Sequence, residues 1–564
     1  MKLKNIITLL IFLVFALPLI SQDNFLIIAP DDFIDELQGL KNYKDCTGRP
    51  ATLVNLTWVD NNFTGSDLPE KVKKCIDYYR QNNNILYAML VGDCDKFPVR
   101  YCRAYNTEWG SKYYPSDLYY ADLYNSSYNF DDWDGDNDGI IGEMDFSGGT
   151  NISLVNLDGI DMYPDIALAR VPASTGAEVT TYVNKIIDYE LKAPGSWFNN
   201  AMLVVDGHVG PFGDTVKVNE DVVPHLTSSS FNIIKRYMDN ALWTGQTYAT
   251  RSAEINTRLN SGVGFVNYYG HGVRLEWCNK YEDGWYDYTK ISSLTNEHKL
   301  PVMFASACFT GRFHFDREYY MDINGVEWNR LGGPYPVVNF PEPMAIQPTL
   351  YDSYGSESLA EHFLVKNNSG GIGYIGVTSK SEHGMWMSNP SESIGLAPYF
   401  FEDYDNGNRT LGILWENAMS EFVSDVEIIA MSQYAFIHIH KVQLFGDPSL
   451  TVGGRYINNL SGNMYDGWGG PWYSFSRGRV VGNVTVPSGQ ALTVNNGVSI
   501  LFDDGKKITG MDPNYGYGLV VNGTQNAPVC FFSLSAEPQA DYFLHGMKTY
   551  GQTRLRNGGE IKLY

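Results

Sequence analysis

At 564 residues, with 44% hydrophobic and 14% aromatic side chains, the chain is folded, not disordered, and too long for one core, so two to four domains are expected. A formal charge of −23 argues against nucleic-acid binding, which needs clustered Lys and Arg, and leaves the fold undecided. Seven cysteines (Cys46, Cys75, Cys94, Cys102, Cys278, Cys308 and Cys530) is an odd count, which in an exported chain leaves one thiol over.

Residues 1–21 have the form of a secretory signal. Lys2 and Lys4 precede an apolar core over 6–20, and Ser21 before Gln22 is the expected cleavage point. No later run is long enough to cross a bilayer. The mature chain is therefore expected to be secreted or at the cell surface, with no stable membrane span. From residue 25, strand-like apolar runs (25–29, 51–56, 86–91) alternate with helical patterns (31–40, 68–81). That alternation predicts an α/β unit over 22–195, with a parallel sheet under flanking helices.

Residues 101–165 break the alternation and are rich in Tyr, Asp, Asn and Gly. Asp134, Asp136 and Asp138 take loop positions one, three and five. Gly139 follows at six, the Ile140 carbonyl at seven and Asp145 at twelve. This spacing wraps hard oxygen ligands around Ca2+, with Glu143 and Asp158 or Asp161 as further candidates. Asp stands at position twelve where the EF-hand pattern has Glu, and no helix pair flanks the loop. A structural brace is the expected role.

A strand at 165–168 and a helix at 175–191 end before Pro194-Gly195, where a subdomain boundary is expected. A second alternating unit, 196–452, runs through 201–205, 216–226, 232–236 and 251–260. It leads to two runs that end in small residues: Val-Gly-Phe-Val-Asn-Tyr-Tyr-Gly-His-Gly (263–272) and Leu-Pro-Val-Met-Phe-Ala-Ser-Ala-Cys-Phe-Thr-Gly (300–311). As parallel strands of one sheet they would deliver His271 and Cys308 to its carboxyl edge, where open α/β sheets place their sites. A thiol beside an imidazole is a thiolate nucleophile with its base. The N–H groups of Gly272 and Cys308 would bind an oxyanion, and losing one such donor costs other enzymes about 2.7–4 kcal/mol. The bland alternative is a small core cysteine and a turn histidine; the flanking glycines weigh against it.

Asn-Tyr-x-Gly-His-Gly followed by Ala-Cys-x-x-Gly resembles the gingipain family of cysteine peptidases, which has a caspase-like fold. Supporting motifs are Leu90-Val91-Gly92-Asp93, Tyr163-Pro164-Asp165-Ile166, Gly370-Gly371-Ile372 and Leu444-Phe445-Gly446-Asp447-Pro448-Ser449-Leu450. The resemblance spans about 25–452. It implies a cysteine endopeptidase acting on protein or peptide substrates, with Cys308 and His271 at the catalytic positions and no redox cofactor or catalytic metal. It also implies an acidic side chain that orients the imidazole. Asp206 is the best match, although direct register falls near His208. Cleavage after basic residues would need an acid in the first pocket, for which Asp214, Glu220 and Asp221 lie in the right region. Residues 311–348, irregular and aromatic-rich, would shape a cleft or lid. Helices are expected at 356–366, 411–423 and 430–444, and a strand at 371–377, with 379–386 lining the pocket.

Beyond 452 the composition changes. A Gly- and Trp-rich linker (453–478) leads to short strands at 484–486, 491–494, 498–502, 519–521 and 529–532. They suit a small all-β domain over 479–564, β-helix-like or a sandwich, and a surface or secretion-system partner would bind there. Gingipains more often carry an immunoglobulin-like domain at this point. Two other readings stand beside the peptidase: a sortase-like transpeptidase of a bacterial surface-secretion system, and an inert surface binding protein.

Overall fold

The computed structural model describes residues 24–106, 110–146, 154–193, 195–205, 216–237, 247–279, 282–313, 320–321, 327–328, 357–379, 393–426, 439–455, 457–466, 477–495, 497–510, 519–522, 529–534, 547–549, 554–555 and 561–563. Ten strands form one sheet: β1 (Asn24–Ala29), β2 (Ala51–Asn55), β3 (Ile85–Val91), β4 (Ala167–Val171), β5 (Asn200–Val205), β6 (Asn232–Tyr237), β7 (Phe265–Tyr269), β8 (Val302–Ser306), β9 (Gly373–Val377) and β10 (Val442–Gly446). Their spatial order is β6-β5-β7-β8-β9-β10-β4-β3-β1-β2. The strands β4, β7, β8, β9 and β10 are buried along their whole length, as expected where helices cover both faces.

All pairs are parallel except β9 with β10. The two halves of the sheet therefore run in opposite directions, and the sheet is continuous across the boundary expected at residue 195. β10 corrects the helix expected over 430–444. Its run Val-Gln-Leu-Phe-Gly pairs with all five residues of β9 and touches β4 at Phe445↔Arg170. A short buried apolar run reads as helix or strand with equal ease until its neighbours are known. The rest of that expected helix, 430–438, lies outside the described residues.

The covering helices have sequence-coded ends. Around α1 (Leu68–Asn83), the Asp67 carboxylate accepts from the Glu70 N–H, Pro69 sits in the first turn, and Asn84 stops the helix in the left-handed region at φ 52°. Thr175 and Glu178 form a reciprocal capping box on α2 (Gly176–Lys192). Ser358 and Glu361 do the same on α3 (Leu359–Val365). The stretch 101–165 is less irregular than its composition suggests. Strands at Tyr101–Asn106, Gly110–Pro115, Met144–Phe146 and Leu154–Asn156 join Tyr320–Met321 and Glu327–Trp328 in a six-stranded side sheet.

Past residue 457 every strand pairing is parallel. Asn458–Asn463, within the expected linker, pairs with Arg477–Val486. Ser499–Phe502 then stacks on Arg477–Val486, Val529–Ser533 on Ser499–Phe502, and Ile561–Leu563 on Val529–Ser533. This stack has its own apolar core. It meets the rest of the molecule through Tyr43, Cys46, Leu501, Cys530 and Phe532, with the Tyr43 and Phe532 rings edge to face at 5.9 Å.

Candidate active site

The strands β7 and β8 are adjacent and parallel, with Tyr269 opposite Ser306. His271 and Cys308 each lie two residues beyond that last pair. One register thus brings both to the same carboxyl edge, and both are half-buried. The chains also touch beyond the strands. The Gly270 N–H reaches the Ser306 carbonyl at 3.4 Å. A Cβ on Gly272 would lie 2.6 Å from the Cys308 carbonyl oxygen and 2.9 Å from the Ala307 Cβ. Only glycine permits that approach, so the second glycine of Gly-His-Gly presses the histidine segment onto the cysteine turn.

The histidine lies on the first strand of a small antiparallel sheet: His271–Val273, Glu276–Asn279 and Glu282–Asp287. Gly272 pairs with Trp277. The Trp277 ring is buried between Tyr268 (4.3 Å between centroids, 9° between planes) and Tyr286 (4.9 Å, 28°). The Tyr268 hydroxyl donates to the His271 carbonyl at 2.8 Å. The backbone that carries the imidazole is thereby fixed on a stack of rings.

The cysteine turn is held as firmly. Phe309, the next residue, has φ +61°, a conformation that a bulky side chain rarely adopts and that clusters at functional sites. Its N–H donates to the Ser379 carbonyl (2.9 Å), and the Gly311 N–H donates to the Val377 carbonyl (3.0 Å). The end of β9 therefore over-determines the turn. Cys308 also differs from the buried cysteines. Cys75 and Cys102 are free thiols pushed up to about 12 by burial, which removes them as nucleophiles. Two other histidines are held neutral: His440 is lowered to about 3 by burial and then by Lys441, and His362 to about 4 by burial and then by Arg274.

Asp206 and Asp214 lie outside the described residues, as do 380–386 and most of 311–348. Val205, which precedes Asp206, pairs with Tyr269 of β7. Glu220 accepts from Lys235 at 2.6 Å and from the Tyr237 hydroxyl at 2.9 Å, so its carboxylate is already engaged.

In the acidic loop, carboxylate oxygens of Asp134, Asp136 and Asp138 lie within 4.8 Å of one another. Three hard anionic donors at that spacing fit Ca2+. The Ile140 N–H donates to Asp138 at 2.8 Å, which places Ile140 in the same turn. Asp145 is not gathered with them: it sits on a strand of the side sheet, 3.7 Å from Arg103. Glu143 also pairs with Arg103. Asp158 accepts from Gly135 (2.9 Å) and Glu143 (2.7 Å) N–H groups, tying the two ends of the loop together. Asp161 accepts from the Tyr163 N–H.

A thiol and an imidazole at one edge of a mostly parallel, helix-covered sheet define the caspase-like α/β class. The chain belongs to peptidase family C25, a family of cysteine-type peptidases, whose model matches residues 20–453. It is similar to gingipain R2 of Porphyromonas gingivalis (strain ATCC BAA-308 / W83), 20% identical over 303 residues that cover 53% of this chain and 34% of that protein. Lys-gingipain HG66 of Porphyromonas gingivalis is 25% identical over 178 residues, 31% of this chain and 10% of that one. The chain thus spans a third or less of the length of these relatives. The crystal structure of the Arg-specific cysteine proteinase gingipain R superposes with a TM-score of 0.50 at 18% identity, covering 79% of this chain and 83% of that one. This likeness is one of fold. Among the described residues no helix is long and apolar enough to cross a membrane.

Phe309, Thr310, Arg274 and the first turn of α3, which brace the two segments, were not singled out from the sequence. The box Ser358-Leu-Ala-Glu361 was the available signal for the last of these.

Proposed function

We propose that the chain is an exported cysteine endopeptidase that hydrolyses peptide bonds of protein substrates with Cys308 as nucleophile and His271 as base. The observation that carries this reading is the shared register: both side chains stand two residues past the Tyr269↔Ser306 pair. His271 takes the thiol proton, the thiolate attacks the scissile carbonyl, and the N–H groups of Gly272 and Cys308 stabilise the oxyanion. The intermediate collapses to a thioester as His271 protonates the leaving amine. Water, deprotonated by His271, then releases the acid and restores the thiol. Asp206 orients the imidazole. The solved relative is Arg-specific by its title, so basic side chains are the first to try before the scissile bond. Ca2+ on Asp134, Asp136 and Asp138, with the Ile140 carbonyl, braces the acidic loop. The signal-like residues 1–21 support secretion or display at the cell surface, and the C-terminal stack offers a face to a surface partner.

The test is labelling of the full chain by peptidyl acyloxymethyl ketones with Arg, Lys, Ala or Asp next to the warhead, with and without Ca2+. Modification of Cys308 alone, lost in His271→Ala, is expected, strongest with Arg or Lys. Absence of labelling by all four in folded protein would refute the dyad.

A further inference from the structure

Two loops from different strands carry the thiol and the imidazole, and something must fix one against the other. We propose that the first turn of α3 is that element, and that Glu361 is a positioning residue acting through it. This rests on the dyad reading above. A helix begins with backbone N–H groups that have no partner inside it. In α3 two of them are spent on the two loops. The Leu359 N–H donates to the Arg274 carbonyl at 2.7 Å, three residues past His271. The Ala360 N–H donates to the Thr310 carbonyl at 3.0 Å, two residues past Cys308. Consecutive residues of one rigid turn thus grip the histidine hairpin and the cysteine turn.

Glu361 closes the arrangement. Its N–H donates to the Ser358 Oγ at 3.4 Å, and its carboxyl accepts the Ser358 N–H. That capping box sets the direction of the turn, and with it the aim of the Leu359 and Ala360 donors. Glu361 is 1% exposed and Ser358 fully buried, so water does not substitute for either. The other end of α3 is held separately: Lys185, buried on α2, donates to the Phe363 (2.9 Å) and Leu364 (2.7 Å) carbonyls. Phe363 of α3 also stacks on Tyr286 at 7° between planes, continuing the ring stack beneath the histidine hairpin.

The experiment measures carboxamidomethylation of Cys308 by iodoacetamide, across pH, in full chains carrying Glu361→Ala, Glu361→Gln, Lys185→Met or His271→Ala, with melting temperatures and peptide turnover alongside. Iodoacetamide is small, so its rate reads thiolate formation and not substrate fit. Glu361→Ala is expected to slow Cys308 alkylation near about pH 6 by about tenfold to a hundredfold, and to lower kcat by a similar factor with KM unchanged. Glu361→Gln, whose amide oxygen can accept the same N–H, is expected to restore both. Lys185→Met is expected to lower the melting temperature while leaving alkylation near the wild-type rate. Wild-type alkylation in Glu361→Ala, failure of Gln to rescue, or equal loss in Lys185→Met would each overturn the proposal. If Glu361→Ala does not fold, Ser358→Ala removes the other half of the box and carries the same expectation and the same refutation. Equal rates in wild type and His271→Ala would instead sink the dyad, and the clamp with it.

Discussion

The two halves of the ten-stranded sheet use their strand ends in opposite ways. In the half built from β5 to β9, the residues beyond β7 and β8 are His271 and Cys308, both half-buried and reachable. In the half built from β1 to β4, the ends of β3 and β4 carry Asp93 and Arg170, both sealed from solvent. Arg170 makes two 2.7 Å bonds to Asp117 and one of 3.1 Å to the Gly92 carbonyl, and its guanidinium lies 4.8 Å from the Phe313 ring centroid. Phe313 comes from the segment just after the cysteine turn, so the sealed half supports the reactive one. Polar groups at strand ends become chemistry where access is kept and scaffold where it is closed.

That contrast can be broken from either side. The largest effect is expected from Cys308→Ala, which should lower peptide turnover by about a thousandfold or more while leaving the circular-dichroism melt near the wild-type position. A matching loss of stability would mean that Cys308 is a core residue after all. Next is Asp117→Ala, which leaves a fully buried guanidinium without its carboxylate. A loss of about 3–5 kcal/mol in urea unfolding is expected, with Cys308 alkylation in the folded fraction unchanged. The smallest effect concerns pH. Burial, and then the Asp95 charge, push Asp93 up from 3.8 to about 7, against the Cys94 N–H, Ser174 and Arg170; Glu361 faces it as well. A carboxyl raised in the folded state gives its full contribution below about pH 4, and that contribution fades as pH climbs through about 7. Asp93→Asn should flatten the decline of the urea midpoint between those limits, and an unaltered slope would move the titration elsewhere.

Much of this was legible in the sequence because the signals were local. Runs such as Phe-Leu-Ile-Ile-Ala and Ala-Met-Leu-Val-Val can only be buried strands when helical patterns lie between them, and the two small-residue endings singled out His271 and Cys308. What stayed hidden depended on partners distant in the chain. β10 looked helical because only β9 and β4 on either side make it a strand. The side sheet joins 101–156 to 320–328, a pairing that no window contains. Asp145 matched a ligand position by spacing, whereas Arg103 on a neighbouring strand claims it in space. The brace on Thr310 and Arg274 consists of backbone carbonyls, which leave no trace in residue identity.

One buried cluster bears on where this enzyme begins and ends as a mechanical object. Lys44 sits between Glu190 (3.2 Å) and Asp447 (2.6 Å), all three fully buried. Glu190 also takes Arg455 at 3.1 Å. Burial alone would raise the Glu190 carboxyl, but Arg455, Lys44 and Arg49 outweigh it and hold it well below the usual range. Arg455 and Arg477 both donate to the Thr47 carbonyl, at the end of the helix Ile34–Cys46. Both arginines come from beyond residue 453, where the family match stops. Homology therefore draws its border through the middle of a neutralised charge network. A chain shortened to that border would strip two cations from a sealed anionic pocket, so the smallest unit that keeps its electrostatic balance extends at least to Arg477.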